Sequence, residues 1–177
     1  LHGRDIYVRE GCYTCHSQMV RPFRSETERY GEYAKAGEFV YDHPFQWGSK
    51  RTGPDLLRVG GKYQNSWHFY HMLDPGKFVK GSLMPPFPHL FEDVIDLDGT
   101  KPRIEAMQTL GVPYPEGFAD KANEDLMKQA TAITEDLKKG GIEIGSDREI
   151  IALIAYLQRL GTDIKQKTPA QVVVTNP

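Results

Sequence analysis

The run Gly11-Cys12-Tyr13-Thr14-Cys15-His16 constrains this chain more than any other stretch, because C-x-x-C-H is the attachment signature of a c-type haem. Two thiols two residues apart reach the two vinyl groups on one porphyrin edge, and the imidazole that follows is then aimed at the iron. The rest of the fold must supply the haem's other wall and its sixth ligand. A C-x-x-C pair also suits a redox-active disulfide or half of a zinc site. Against these, Cys12 and Cys15 are the only cysteines, no second C-x-x-C or H-x-x-x-H completes a zinc set, and no βαβ pattern surrounds them. One covalently bound haem c is the reading that also uses His16.

A haem changes how the composition is read. Only 39% of the 177 residues are hydrophobic, with 17 glycines and 12 prolines. That mix describes a small domain with large loop-rich insertions, in which a buried cofactor completes the apolar core. The net charge of -2 gives no basic face for nucleic acid and no polybasic membrane patch. The longest apolar run, Ile150 to Leu157, falls far short of the ~20 residues that span a bilayer, so the chain as given reads as soluble. It opens on Leu1 and enters a helical pattern at once, which reads as a trimmed or processed piece.

Gly3 to Gly11 reads as a short helix, with Ile6, Tyr7 and Glu10 at helical spacing, that delivers Cys12 to the haem edge. Pro22 to Gly53 is rich in glycine, proline and aromatics without a sustained period. It is expected to be an ordered insertion packed on the haem or on a partner. A helix follows from Trp67 to Leu73, with Ser66 as N-cap and Asp74-Pro75 as its stop. Its Met72, His68 and His71 read as ordinary helix residues.

The loop Gly81 to His89 holds Met84 between Leu83 and the stiff pair Pro85-Pro86, and Met84 is the best candidate for the sixth iron ligand. Met19 lies too near the attachment turn, Met107 and Met127 fall in helical surroundings, and His89 is the runner-up through bis-histidine ligation. A second insertion from Phe91 to Gly145 carries a helix from Glu124 to Lys139. Leu126, Ala130, Ile133 and Leu137 form its stripe, and Glu124/Lys128 and Glu135/Lys139 pair along it. The last helix opens on a capping box, Ser146 to Glu149, and is closed by Gly161. Its face Ile150, Ile151, Leu153, Ile154, Leu157 and Leu160 suits packing of Tyr156/Leu157 against Gly3/Tyr7. From Thr162 the tail is polar and expected to be poorly ordered.

Taken together, the order of N-terminal helix, C-x-x-C-H, Gly53-Pro54-Asp55-Leu56, Met84-Pro85-Pro86 and final helix resembles a class I cytochrome c domain. More narrowly, Gly11 to Phe23, Glu28-Arg29-Tyr30-Gly31 and Glu38 to Leu56 resemble the mono-haem subunit II of cbb3-type cytochrome c oxidase. The resemblance implies an all-α fold: one domain over 1–165, with insertions at about 22–52 and 91–145 and a flexible tail over 166–177. It further implies that Cys12 and Cys15 carry the haem thioethers, that His16 and Met84 are the axial ligands, and that the Pro54 carbonyl orients His16. The segment Pro22 to Arg51 then lies against the catalytic subunit or the haem rim, with Arg51 or Lys50 against a propionate.

The function implied is a one-electron relay from a donor cytochrome c to the oxygen-reducing haem-copper subunit, with a di-haem cytochrome c subunit as a further partner. The domain then lies at the periplasmic face of the bacterial inner membrane, behind a transmembrane anchor that this sequence lacks. By itself such a chain is not an enzyme. The rival class is a haem sensor or small peroxidase, in which the Met84 bond gives way to a gas or peroxide.

Overall fold

The computed structural model describes residues 1–165, and the expected flexible tail, 166–177, lies outside the described residues. Among the described residues there are seven α-helices and no strand; the only pairing of that kind is an isolated antiparallel bridge between Val94 and Arg148. The helices are α1 (His2–Arg9), α2 (Arg24–Tyr30), α3 (Asn65–Leu73), α4 (Pro75–Phe78), α5 (Thr100–Thr109), α6 (Phe118–Lys139) and α7 (Glu149–Arg159). The all-α class follows the expectation.

The fold is centred on α7. Its Ile150, Ile151, Leu153, Ile154 and Leu157 are each at most 3% exposed, and full burial of such a side chain contributes about 1.5–3 kcal/mol. α1 crosses α7 at Gly3, where a Cβ would lie 2.0 Å from the Ala152 carbonyl oxygen and 2.6 Å from the Tyr156 Cβ. Only glycine permits that approach. Further along, the Tyr7 and Tyr156 rings meet at 5.4 Å, and the buried Gln18 amide donates to the Tyr156 hydroxyl at 3.0 Å. α6 packs on α7 and α5 on α6, while α3 touches both α6 and α7.

Several boundaries differ from the sequence reading. The last helix does not use its capping box: it starts at Glu149 behind Arg148, with no side-chain cap. The Glu149 N–H donates instead to the Asp93 carbonyl at 3.0 Å, and its carboxylate is taken by Arg9. α3 starts at Asn65 after Gln64, so Ser66 lies inside the helix. α6 begins at Phe118 rather than Glu124, extended by the buried Ala119 and Ala122, whose small side chains hide the period. Along α6 neither Glu124/Lys128 nor Glu135/Lys139 closes as an ion pair among the described residues; Asp136 accepts from Asn65 at 2.8 Å instead. Exposed pairs of that kind gain little over hydration.

Three helices had no expectation of their own: the short α4, which Pro75 opens where only a stop was expected, α5 and α2. α5 buries Thr100, Ile104 and Met107, and only the last two are apolar. α2 lies inside the 22–52 insertion, and its one buried residue is Glu26. A helix whose inward face is a carboxylate leaves no hydrophobic period to read.

Candidate metal centre

α1 ends at Arg9, and the chain turns back at Gly11 into a 3-10 turn over Cys12–Thr14. The Cys15 and His16 N–H groups both donate to the Cys12 carbonyl, at 3.2 and 2.9 Å, so the two sulfurs and the imidazole project from one tight turn. Both cysteines are free thiols. Cys12 packs half-buried against the main core, and burial pushes its thiol pKa up to about 11; Cys15 is exposed.

Residues 47–56 clamp this turn from outside. Gly53 N–H donates to the Cys15 carbonyl at 3.0 Å, Leu56 N–H to the Ser17 carbonyl at 2.8 Å, and Gln18 N–H to the Trp47 carbonyl at 2.7 Å. His16 Nδ1 lies 2.8 Å from the Pro54 carbonyl oxygen. A carbonyl only accepts, so Nδ1 carries the proton and Nε2 keeps its lone pair. Gly53 lies against the same ring: a Cβ there would come within 2.2 Å of His16 Cε1. Pro54 and Gly53 therefore fix the tautomer and the position of the imidazole together.

The clamp is held by a charged network that sequence reasoning did not resolve. Asp55 accepts from Ser17 Oγ at 2.6 Å, from Met19 N–H at 2.8 Å and from Leu57 N–H at 2.8 Å. Arg51 donates through Nε to Ser17 Oγ at 2.8 Å, and through Nη2 to the Met19 carbonyl at 2.9 Å and to Glu26 at 2.7 Å. Arg51 and then Arg21 hold the Glu26 carboxyl far below the usual range, at about 2. The bonds of Arg51 run from Nε and Nη2, and Lys50 is exposed. The readable signal was the acidic partner set, Glu26 and Asp55, around an arginine two residues before Gly53.

Met84 is half-buried and packs against the same core as Cys12, Leu56, Tyr63 and Phe87. Its N–H donates to Ser82 Oγ at 3.2 Å, and Phe87 N–H donates to the Met72 carbonyl at 2.9 Å, which ties the loop to α3. Neighbouring Leu83 is 84% exposed. Of the alternatives, His89 pairs with Glu10 at 3.1 Å and Met107 is buried in α5. Met127 lies on α6, while Met19 stays beside the attachment turn, its N–H on Asp55.

Aromatic rings on α3 and α4 add a further surface. Trp67 stacks on Tyr63 at 4.0 Å and on His71 at 4.4 Å, and Phe78 meets Trp67 edge-on at 5.7 Å. His68 and His71, read as ordinary helix residues, each bury one ring nitrogen without a partner. Burial lowers the His68 pKa to about 4; burial and then the charge of His16 lower that of His71.

These residues fit a covalently held iron porphyrin. They offer two free thiols on one turn, an imidazole whose Nε2 is free and whose other nitrogen is fixed, and a half-buried thioether. That donor set is soft sulfur and nitrogen, the ligation of electron-transfer haem. Among the described residues no three of His, Cys, Asp and Glu gather closely enough to hold a bare metal ion.

A family model described as cytochrome c oxidase, mono-heme subunit/FixO matches residues 1–164. A comparison with curated proteins finds no match.

Proposed function

Because this chain belongs to the FixO family of cytochrome c oxidase mono-haem subunits, carrying one haem and serving electron transport, we propose that it relays single electrons inside a cbb3-type oxidase. The electrons come from a donor cytochrome c and pass to the oxygen-reducing haem-copper subunit, with a di-haem cytochrome c subunit as a further neighbour. The relay lies on the periplasmic face of the inner membrane, anchored outside the described residues, among which no helix is long and apolar enough to cross a membrane.

The observation that carries this reading is His16 itself. Its Nδ1–H is committed to Pro54 at 2.8 Å, with Gly53 under the ring, so only Nε2 remains to ligate. A hydrogen bond of this kind raises ligand basicity and fixes ring orientation. Cys12 and Cys15 would tether the haem, His16 and Met84 would ligate its iron, and Pro54 orients the imidazole. Arg51 would meet a propionate.

Bound haem supplies a one-electron iron couple, and a thioether ligand favours the ferrous form and raises the potential. With His16 and Met84 both ligating, the iron would have no open position, which suits electron transfer without a substrate bond made or broken.

A pyridine haemochrome assay with a reduced-minus-oxidised spectrum on the purified chain tests cofactor, count and attachment together. One haem c that survives denaturation is expected. Loss of colour on denaturation, or full haem retention in both Cys12→Ala and Cys15→Ala, would overturn the attachment. Met84→Ala is expected to lower the potential and give a high-spin or water-ligated spectrum, and an unchanged spectrum assigns the sixth ligand elsewhere. Rapid binding of carbon monoxide by the ferrous protein at neutral pH would favour the sensor or peroxidase class.

A further inference from the structure

Met84 packs on the core, yet the loop that carries it has no polar tie of its own to the body of the protein. Among the described residues, the hydrogen bonds of 80–86 stay inside the loop. Ser82 N–H donates to the Val79 carbonyl at 2.9 Å, and Met84 N–H donates to Ser82 Oγ at 3.2 Å. The ties come just after it. Phe87 N–H reaches the Met72 carbonyl, and Leu90 is fully buried in the main core. Between these two stands His89, whose Nε2 lies 3.1 Å from Glu10 Oε2.

Glu10 is an acceptor held in place before His89 meets it. It ends α1, two residues before Cys12. Its side chain is only 15% exposed, and Arg9 Nε donates to its other oxygen, Oε1, at 2.8 Å. Arg9 in turn grips Glu149 at the start of α7. A carboxylate only accepts, so it is His89 Nε2 that carries the proton. His89 is held as well: its carbonyl accepts from the Glu92 and Asp93 N–H groups at 3.0 and 2.8 Å, and its ring meets that of Phe87 at 6.2 Å. Two groups fixed by their neighbours lose little further freedom when they bond.

We propose that Glu10 and His89 are positioning residues whose hydrogen bond straps the Met84 loop to the attachment turn and keeps Met84 on the iron against competing small ligands. The strap rests on the relay reading above, in which Met84 ligates. Its ends lie two residues before one tethering cysteine and five residues after the thioether. A loop that swung away would open the sixth position, which is the behaviour of a sensor or peroxidase. The strap opposes that swing.

The test uses the haem-loaded protein with imidazole as the competing ligand, titrated against the ferric form at neutral pH and read from the spectrum. Glu10→Ala and His89→Phe each remove the bond and are expected to tighten imidazole binding about fivefold. The double variant is expected to do no more than either alone. Glu10→Gln keeps an acceptor and is expected to restore most of the wild-type value. Affinity unchanged in both single variants, or effects that add in the double variant, overturn the strap. A second measurement needs no variant to fold: 15N-labelled histidine in the ferrous wild type is expected to show a proton on His89 Nε2, and an Nε2 without one overturns the bond. A spectrum unchanged by Met84→Ala removes the ligand assignment of the relay reading. A Met84-ligated protein indifferent to Glu10 and His89 removes the strap alone.

Discussion

Where α1 meets α7, apolar side chains and two close backbones do the work: Ile6 and Tyr7 face Ile150, Ile154 and Leu157, and Gly3 lets the helices touch. The 22–52 insertion is built otherwise. Its Phe39 packs in a small apolar cluster with the flanking Val20 and Leu57, and what fixes its path is a set of guanidinium–carboxylate pairs. Arg51 and Arg21 meet Glu26, Arg58 grips Glu38, and Arg4 of α1 reaches Asp42 at 2.9 Å. One region gains stability from water leaving apolar surface, the other from charge pairs buried with their hydrogen bonds satisfied. The first tolerates acid and resists volume changes poorly. The second has the opposite sensitivities.

The contrast breaks most sharply at Gly3. In Gly3→Val a Cβ would overlap the Ala152 carbonyl, forcing α1 off α7 at a cost of about 3 kcal/mol or more. Thermal unfolding of the haem-loaded protein reads this, and a melting curve like wild type would show that the helices can part cheaply. Next comes Leu153→Ala, a cavity beneath a side chain that is 1% exposed. It is expected to cost about 2–5 kcal/mol in denaturant titration, with the acid response unaltered.

Glu26→Gln acts on the other region, at about 1.5–3 kcal/mol for hydrogen bonds to charged groups. Unlike that of a core variant, its effect depends on pH. The Glu26 carboxyl lies at about 2, below its ordinary 4.5, so the pairing contributes fully above pH 4.5 and fades as pH falls toward 2. Trp47, in the insertion, is expected to report this acid transition in the wild type and to lose that limb in Glu26→Gln. An identical acid limb in both proteins removes Glu26 from the account. The smallest effect is expected at Arg24→Ala, whose pair with Glu28 is 90% and 61% exposed. A change above about 0.5 kcal/mol in denaturant titration would mean that α2 depends on its surface charges.

The same contrast explains what could be read from the chain alone. α7 and its contact with α1 were legible because burial writes a period into the sequence, and Gly3 fell on the crossing. α2 was not, since its inward residue is Glu26 and its stabilisers, Arg51 and Arg21, lie outside it. The capping box of Ser146 to Glu149 was legible but unused, because the backbone of residue 93 supplies the acceptor from far along the chain. Within the site, the Cys12 to His16 turn and Pro54 follow from motif and resemblance. The role of Arg51 depends on Ser17, Met19 and Glu26 meeting it in space, and no spacing rule encodes that.

The clamp on the attachment turn also carries a chronology. The three backbone bonds that close over Cys15 to Gln18 involve Trp47, Gly53 and Leu56, about thirty to forty residues later in the chain. At synthesis rates of about 5–20 residues per second, Cys15 emerges about 2–8 s before Leu56. During that interval both thiols sit on an unlatched segment. Once Leu56 arrives the latch can shut, and the imidazole is locked onto Pro54. The geometry of the folded turn is thus also a schedule, with the thiols written early and the latch over them written late.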